Sequence, residues 1–320
     1  MRIGIDWGGT TIKAAIVDGA NLRGFTRVET RVEAGVGAVL DDIASLVRVL
    51  GGQPESVGLA IPGEVRDDGR CWRLPNVPGF ENVNIAAELQ ARVGCPIGVE
   101  NDAIAAALAE RLFGLGNTYR SFLLVTLGTG IGGGLVLDGE VRRGRAGFSG
   151  EIGHVLIDSS KDAWPCGCGR TGCMEAYAGT AGLLRCYCEV KGSDPVSGTE
   201  TGSDPLPVTI KQIAETGGVT ADAVWKQLGE ALGTGLASIN NILDLDAVVF
   251  TGGVSNSFAQ VEPHLRKALK ARAFAPPLSE IPLEVSKLGE HAGVIGAAHL
   301  PTERTASDSG RLFPTPKLPE

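Results

Sequence analysis

The chain has 320 residues, more than one typical core accommodates, so two domains are expected. It is 43% hydrophobic and 21% charged, and its net charge of −8 argues against a nucleic-acid or anionic-membrane partner. No apolar run approaches the ~18 residues of a membrane span, and Asp6 falls where a signal peptide would be apolar, so a cytoplasmic location is expected.

Residues 2–7 (RIGIDW) and 11–18 (TIKAAIVD) read as strands joined by the tight turn Gly8-Gly9-Thr10, with a third strand over 23–30. Helical apolar spacing spans 36–51, and SVGLAIPG (56–63) reads as a strand covered on both faces. A helix over about 84–93, the strand PIGVEN (96–101) and an Ala-rich helix from Asp102 follow. The pattern then restarts, with SFLLVTLG (121–128) and IGGGLVLDG (131–139) repeating the unit of strand, glycine turn and strand. A helix over about 222–243, the strand AVVFTGG (247–253) and a helix over about 257–272 complete it. Two halves that open alike suggest a duplicated α/β domain. Residues 192–208 have the composition of a flexible insertion, and 304–320 that of a disordered tail.

Three glycine-rich turns follow strands: Asp6-Trp7-Gly8-Gly9-Thr10, Gly128-Thr129-Gly130-Ile131-Gly132-Gly133-Gly134, and Thr251-Gly252-Gly253. Glycine admits positive φ and close ligand approach, and successive N–H groups in such turns cradle phosphate. Asp6, beside the first turn, suits a Mg²⁺ bridging phosphate oxygens. The literal G-x-G-x-x-G at 128–133 precedes a strand-like segment, not the helix a dinucleotide fingerprint requires, and there is no Walker A sequence. The bland alternative is that the turns are simple hairpins.

Asn101-Asp102 sits where a strand meets a helix, which suits an N-cap and equally a general base at the carboxyl end of an open α/β sheet. Seven cysteines cannot all pair, and Cys166, Cys168 and Cys173 crowd together after Glu151-Ile-Gly-His154. Three cysteines and one histidine match a closed structural Zn²⁺ site, with glycines 167, 169 and 172 permitting the turns. Cys71, Cys95, Cys186 and Cys188 read as small buried hydrophobes. Glu151 and Glu175 flank the knuckle, either as ordinary surface glutamates or as acceptors for sugar hydroxyls.

Taken in order, these motifs resemble the ROK family of sugar kinases (repressor, open reading frame, kinase) over roughly residues 3–300. The resemblance rests on D-x-G-G-T at 6–10, Ile61-Pro62-Gly63, Asn76-Val-Pro-Gly79, Asn101-Asp102, the 128–134 turn, Glu151-x-Gly-His154, the knuckle at 166–175, and Gly252-Gly253. It implies an actin-like, hexokinase-type fold of two ribonuclease-H-like domains around a cleft. The smaller domain would comprise 1–113 plus about 291–303, and the larger 114–290. It implies ATP-dependent phosphorylation of a hexose, glucose first, with Asp102 as the base. Gly63, Asn101, Asp102, Glu151, His154 and Glu175 fall at the family's sugar contacts. Asp6, Gly8, Gly9, Thr10, Gly128, Thr129, Gly130 and Gly132 would serve the phosphates, and Gly252 and Gly253 the adenosine. His154, Cys166, Cys168 and Cys173 would hold zinc, with the second ring nitrogen of His154 facing sugar. A homodimer is also implied.

Trp7 stands where the family has a smaller aliphatic residue, and Thr11 where it often has lysine. An N-acylhexosamine kinase or fructokinase is the nearest alternative. A sugar-responsive repressor would carry a helix-turn-helix ahead of the first turn, for which Asp6 leaves no room. A non-kinase ATPase would not need the knuckle.

Overall fold

The computed structural model describes residues 1–66, 69–74, 79–192 and 210–302. The predicted insertion from 193 on, the tail from 304, and Asn76 of the expected sugar-site motif lie outside these residues.

Short apolar runs bounded by turns form the first sheet. β1 (Arg2–Trp7), β2 (Thr11–Asp18) and β3 (Asn21–Glu29) make an antiparallel meander, and β4 (Ser56–Ile61) and β7 (Ile97–Asn101) extend it in parallel, in the order β3-β2-β1-β4-β7. Between the parallel strands come α1 (Gly35–Leu50), the two-stranded β5 (Glu64–Val65) and β6 (Cys71–Arg73), and α2 (Ile85–Val93); α3 (Asp102–Phe113) follows. The second sheet takes β8 (Phe122–Leu127), β9 (Ile131–Leu137), β10 (Glu140–Arg142), β11 (Ala247–Thr251) and β12 (Leu283–Val285) in the order β10-β9-β8-β11-β12. Each sheet thus has its own third, second, first, fourth and fifth strands side by side, the topological form of the duplication suggested by the repeated pattern. The remaining helices are α4 (Met174–Ala178), α5 (Thr180–Lys191), α6 (Ile210–Thr216), α7 (Gly218–Leu243), α8 (Phe258–Arg272), α9 (Pro276–Ser279) and α10 (Ala292–Ala298). Among the described residues, no helix is long and apolar enough to cross a membrane.

The first sheet buries Ile3, Ile5 and Leu59 with Val39 and Ile43 of α1 and with Phe80 in one apolar cluster. Trp7 belongs to this cluster, fully buried with its ring edge-on to Phe80 at 5.0 Å. The substitution at position 7 therefore fills core space. The opposite face carries Gly4 and Gly58, where a Cβ would meet the backbone of α10 at 1.9 and 1.6 Å. Only glycine at these positions lets α10 lie directly on the sheet, and a methyl group there would force the two layers apart.

The residues group into two compact units. One comprises residues 1–124, 134–150 and those from 286 on; the other comprises 125–133 and 151–285.

Candidate active site

In the first unit, Asp6 is the last residue but one of β1, directly across from Lys13 in the β1–β2 register. Lys13 Nζ lies 3.8 Å from Asp6 Oδ2 and 3.7 Å from Glu290, which in turn pairs with Arg27. Burial raises the Asp6 carboxyl above the usual carboxylate range, and Lys13 opposes that shift by favouring the anion. The adjoining turn closes through a hydrogen bond from Gly8 N–H to Thr11 C=O at 2.8 Å, and Thr30 Oγ1 donates to Gly8 C=O. Gly9 has open space where a side chain would stand, so the bare backbone is available to a ligand.

Asn101 and Asp102 divide the work at the β7–α3 junction. Asn101 is the N-cap, with backbone φ −58° and ψ 144°, and its Oδ1 accepts from the N–H groups of Ala103 (2.9 Å) and Ile104 (3.1 Å). Its Nδ2 donates to Gly63 C=O at 3.2 Å, tying the end of β7 to the turn after β4. Asp102 is the first helical residue, where the helix dipole favours its anion. The capping role considered for Asp102 thus falls on Asn101. Gly63 has no room for a side chain, since a Cβ would lie 2.3 Å from Arg73 C=O.

In the second unit, the Gly128–Gly132 turn is held from α4 and α5. Thr180, the first residue of α5, donates its hydroxyl to Gly128 C=O at 2.8 Å and its N–H to Thr129 C=O at 3.1 Å. Glu175 of α4 accepts from Ile131 N–H at 2.9 Å, and a Cβ on Gly130 would lie 2.3 Å from that same carboxylate. Thr126 Oγ1 accepts from Gly132 N–H at 3.1 Å. Positive φ was expected in the glycine turns, yet among their residues it occurs only at Gly252 (94°). Elsewhere glycine serves close approach, as at Gly130, or leaves open backbone, as at Gly9, Gly128 and Gly253. Gly252 needs both liberties, because a Cβ there would sit 2.4 Å from Leu127 C=O.

The ligand atoms of His154, Cys166, Cys168 and Cys173 all lie within 4.8 Å of one another. Cys168 Sγ and Cys173 Sγ are 3.7 Å apart, and His154 Nδ1 is 3.7 Å from Cys166 Sγ. A tetrahedral site with Zn–S bonds of about 2.3 Å has sulfur–sulfur edges of about 3.8 Å, so the donor set fits zinc in type, number and spacing. Gly169 (φ 88°) and Gly172 (φ 77°) make the knuckle's turns, whereas Gly167 has no positive φ.

His154 presents its other face, Nε2, 3.9 Å from Glu151 Oε2, while Cys166 Sγ approaches Glu175 Oε1 at 3.8 Å. Both carboxylates named from the sequence therefore border the thiol–imidazole cluster. A supporting set went unrecognised in the sequence. Tyr177 Oη donates to Asp158 and accepts from Trp164 N–H, its ring stacks on Trp164 at 4.7 Å, and Arg185 covers Trp164 at 4.2 Å. These residues tie the segment ahead of Cys166 to α4 and α5. Only the aromatic spacing around the cysteines could have signalled them.

The family model described as "ROK family" matches residues 2–304. A glucokinase of Streptomyces coelicolor is 32% identical, over 95% of this chain and 98% of its own length. An N-acetyl-D-glucosamine kinase of Pasteurella multocida is 29% identical, over 94% and 99%. Among solved structures, a ROK-family glucokinase from Streptomyces griseus in complex with glucose and AMPPNP is 30% identical, with a TM-score of 0.79, over 93% of this chain and 97% of that one.

Proposed function

The chain belongs to the ROK family, and from that premise we propose that it is an ATP-dependent hexose kinase phosphorylating the primary hydroxyl of glucose. Its fold is the actin-like, hexokinase-type α/β fold of the ROK sugar kinases. The observation that carries the reading is the imidazole of His154, with Nδ1 toward the thiols and Nε2 toward Glu151, beside Glu175 on the same knuckle. A ring rich in hydroxyl donors is the chemistry such acceptors recognise.

Gly63, Asn101, Glu151, His154 and Glu175 bind and orient the sugar, and Asp102 accepts the proton leaving the attacking hydroxyl. The oxygen then forms its bond to the γ-phosphorus as the bond to ADP breaks. Phosphoryl transfer needs positioning and charge neutralisation more than covalent chemistry. The turns at Gly8, Gly9 and Thr10 and at Gly128, Thr129, Gly130 and Gly132 bind the phosphates in this reading, supported by the open backbone of Gly9 and Gly128, and Gly252 and Gly253 face the adenosine. Asp6 offers the hard carboxylate that would hold the Mg²⁺ arriving with ATP, which when bound offsets phosphate charge. His154, Cys166, Cys168 and Cys173 would hold one Zn²⁺, which when bound fixes the knuckle and leaves no coordination position for catalysis.

The likeness to an N-acetyl-D-glucosamine kinase favours an N-acylhexosamine as the second substrate class. A panel of hexoses assayed with ATP separates the two. Glucose should give the highest kcat/KM. More efficient phosphorylation of N-acetylglucosamine or N-acetylmannosamine would overturn glucose and leave a sugar kinase.

A further inference from the structure

A buried ion pair joins Arg143 to Glu100, which lies two residues before the proposed base, and the partners are far apart in sequence. Arg143, just after β10, is 1% exposed, and Glu100, the last residue but one of β7, is fully buried. Arg143 Nε donates to Glu100 Oε2 at 2.5 Å, and Arg143 Nη2 donates to Val65 C=O at 2.9 Å. The other oxygen of Glu100 accepts from the N–H of Asn101 at 2.9 Å. The guanidinium sits under Gly147, where a Cβ would stand 3.2 Å from Nη2 and 2.6 Å from Val65 C=O.

Burying two charges is a poor route to stability, since the desolvation cost often cancels their attraction and an apolar pair of the same volume does as well. What this pair does achieve is geometric. A planar guanidinium fixes two acceptors at once, Glu100 on β7 and Val65 on β5. Glu100 in turn holds the peptide N–H from which Asn101 and then Asp102 continue. Asn101 returns to the same region by donating to Gly63 C=O, two residues before Val65. The circuit Arg143–Glu100–Asn101–Gly63, closed through β5 to Val65 and Arg143, contains two of the residues proposed to meet sugar, Asn101 and Gly63, and adjoins the proposed base Asp102 in the chain.

We infer that Arg143 and Glu100 are positioning residues for phosphoryl transfer, setting the direction of Asp102 and the spacing of Gly63 without touching the substrate. The inference rests on the reading of Asp102 as the base. Reaction geometry is sensitive enough for this to matter, because a misplacement of about 1 Å costs on the order of 100-fold in rate.

Replacing either charge alone strands the other in the interior, so the informative variant is Arg143→Met combined with Glu100→Gln, in which the amide oxygen still accepts from Asn101. Its kcat should fall about 10- to 100-fold while its melting temperature and its KM for ATP stay near those of the unaltered enzyme. Arg143→Lys, which keeps the charge but not the two-pronged geometry, should lose part of that rate with the fold intact, and it decides the matter if the double variant fails to fold. A folded double variant, or Arg143→Lys in its place, with kcat within twofold of the unaltered enzyme overturns the inference. So does a fall in kcat and melting temperature together with a rise in both KM values. Asp102→Asn measured alongside separates the two ideas. If it is silenced while the double variant keeps full turnover, positioning fails and the base stands; if it retains full turnover, the base reading itself fails.

Discussion

His154 faces two ways: its Nδ1 lies 3.7 Å from Cys166 Sγ, and its Nε2 lies 3.9 Å from Glu151 Oε2. A ring held on one side by a metal has a fixed tautomer and orientation on the other, so the cluster of thiols also determines what Nε2 can offer to a ligand. Freshly purified protein should contain one zinc per chain, and Cys168→Ser should lose it. Chelation should weaken sugar binding before the chain unfolds, since only the knuckle depends on the ion. Elemental analysis finding no metal, or sugar affinity unchanged after its removal, would contradict this.

Tyr177 bridges Asp158 and Trp164 beside the cluster, and the bond from its hydroxyl is the main reason the Asp158 carboxyl lies below its ordinary range. Tyr177→Phe removes a donor and an acceptor and leaves the stacking in place. Stability in urea should fall by about 1–2 kcal/mol, and zinc should exchange faster. Unchanged midpoint and exchange rate would show that the bridge is idle.

Gly252 and Gly253 are neighbours with opposite requirements. Gly252 has φ 94° and no room beside Leu127 C=O, whereas Gly253 has open space. Gly252→Ala should cost about 1–3 kcal/mol of stability. Gly253→Ala should leave the melting temperature unchanged and raise the KM for ATP, because the added methyl group meets the nucleotide. Equal effects of the two substitutions on stability would contradict the distinction.

Burial pushes the His299 imidazole below its ordinary range, opposed by the bond to Ile295 C=O and reinforced by nearby Arg2. Its ring also packs edge-on against Phe113 at 4.8 Å. The unfolded chain therefore takes up this proton first as pH falls through about 6.5, and the folded state loses stability between that point and the depressed value. The melting temperature should drop from about pH 7.5 to 5.5, with a smaller drop in His299→Gln. Identical slopes in both proteins would remove His299 as the source.

The strands β1–β4, β7–β9 and β11 were legible as short runs bounded by turns or a helix start, and their observed bounds fall within two residues of those expected, whereas β10 and β12, three residues each, were too short to carry a periodic signal. α10 was not legible either, because Ala292–Ala298 is built from small residues whose spacing suits no single face; it is helical where Gly4 and Gly58 let it rest on the sheet. The His154 and cysteine cluster was readable from spacing within one short segment. Glu100 and Arg143 were not, because 43 positions separate them and each alone looks like an ordinary charged residue. Nor does sequence divide the labour between Asn101 and Asp102, since either type caps a helix and only backbone position decides.

Asp102 is the proposed base for the hydroxyl that attacks ATP, and steady-state kinetics of Asp102→Asn probe that role without disturbing the helix cap. Asn101 retains the cap, so the variant should fold and bind glucose normally. Its turnover with glucose and ATP should fall by roughly 10²–10⁴-fold, the usual contribution of a general base. A well-folded Asp102→Asn enzyme with near-normal turnover would show that Asp102 is not the base.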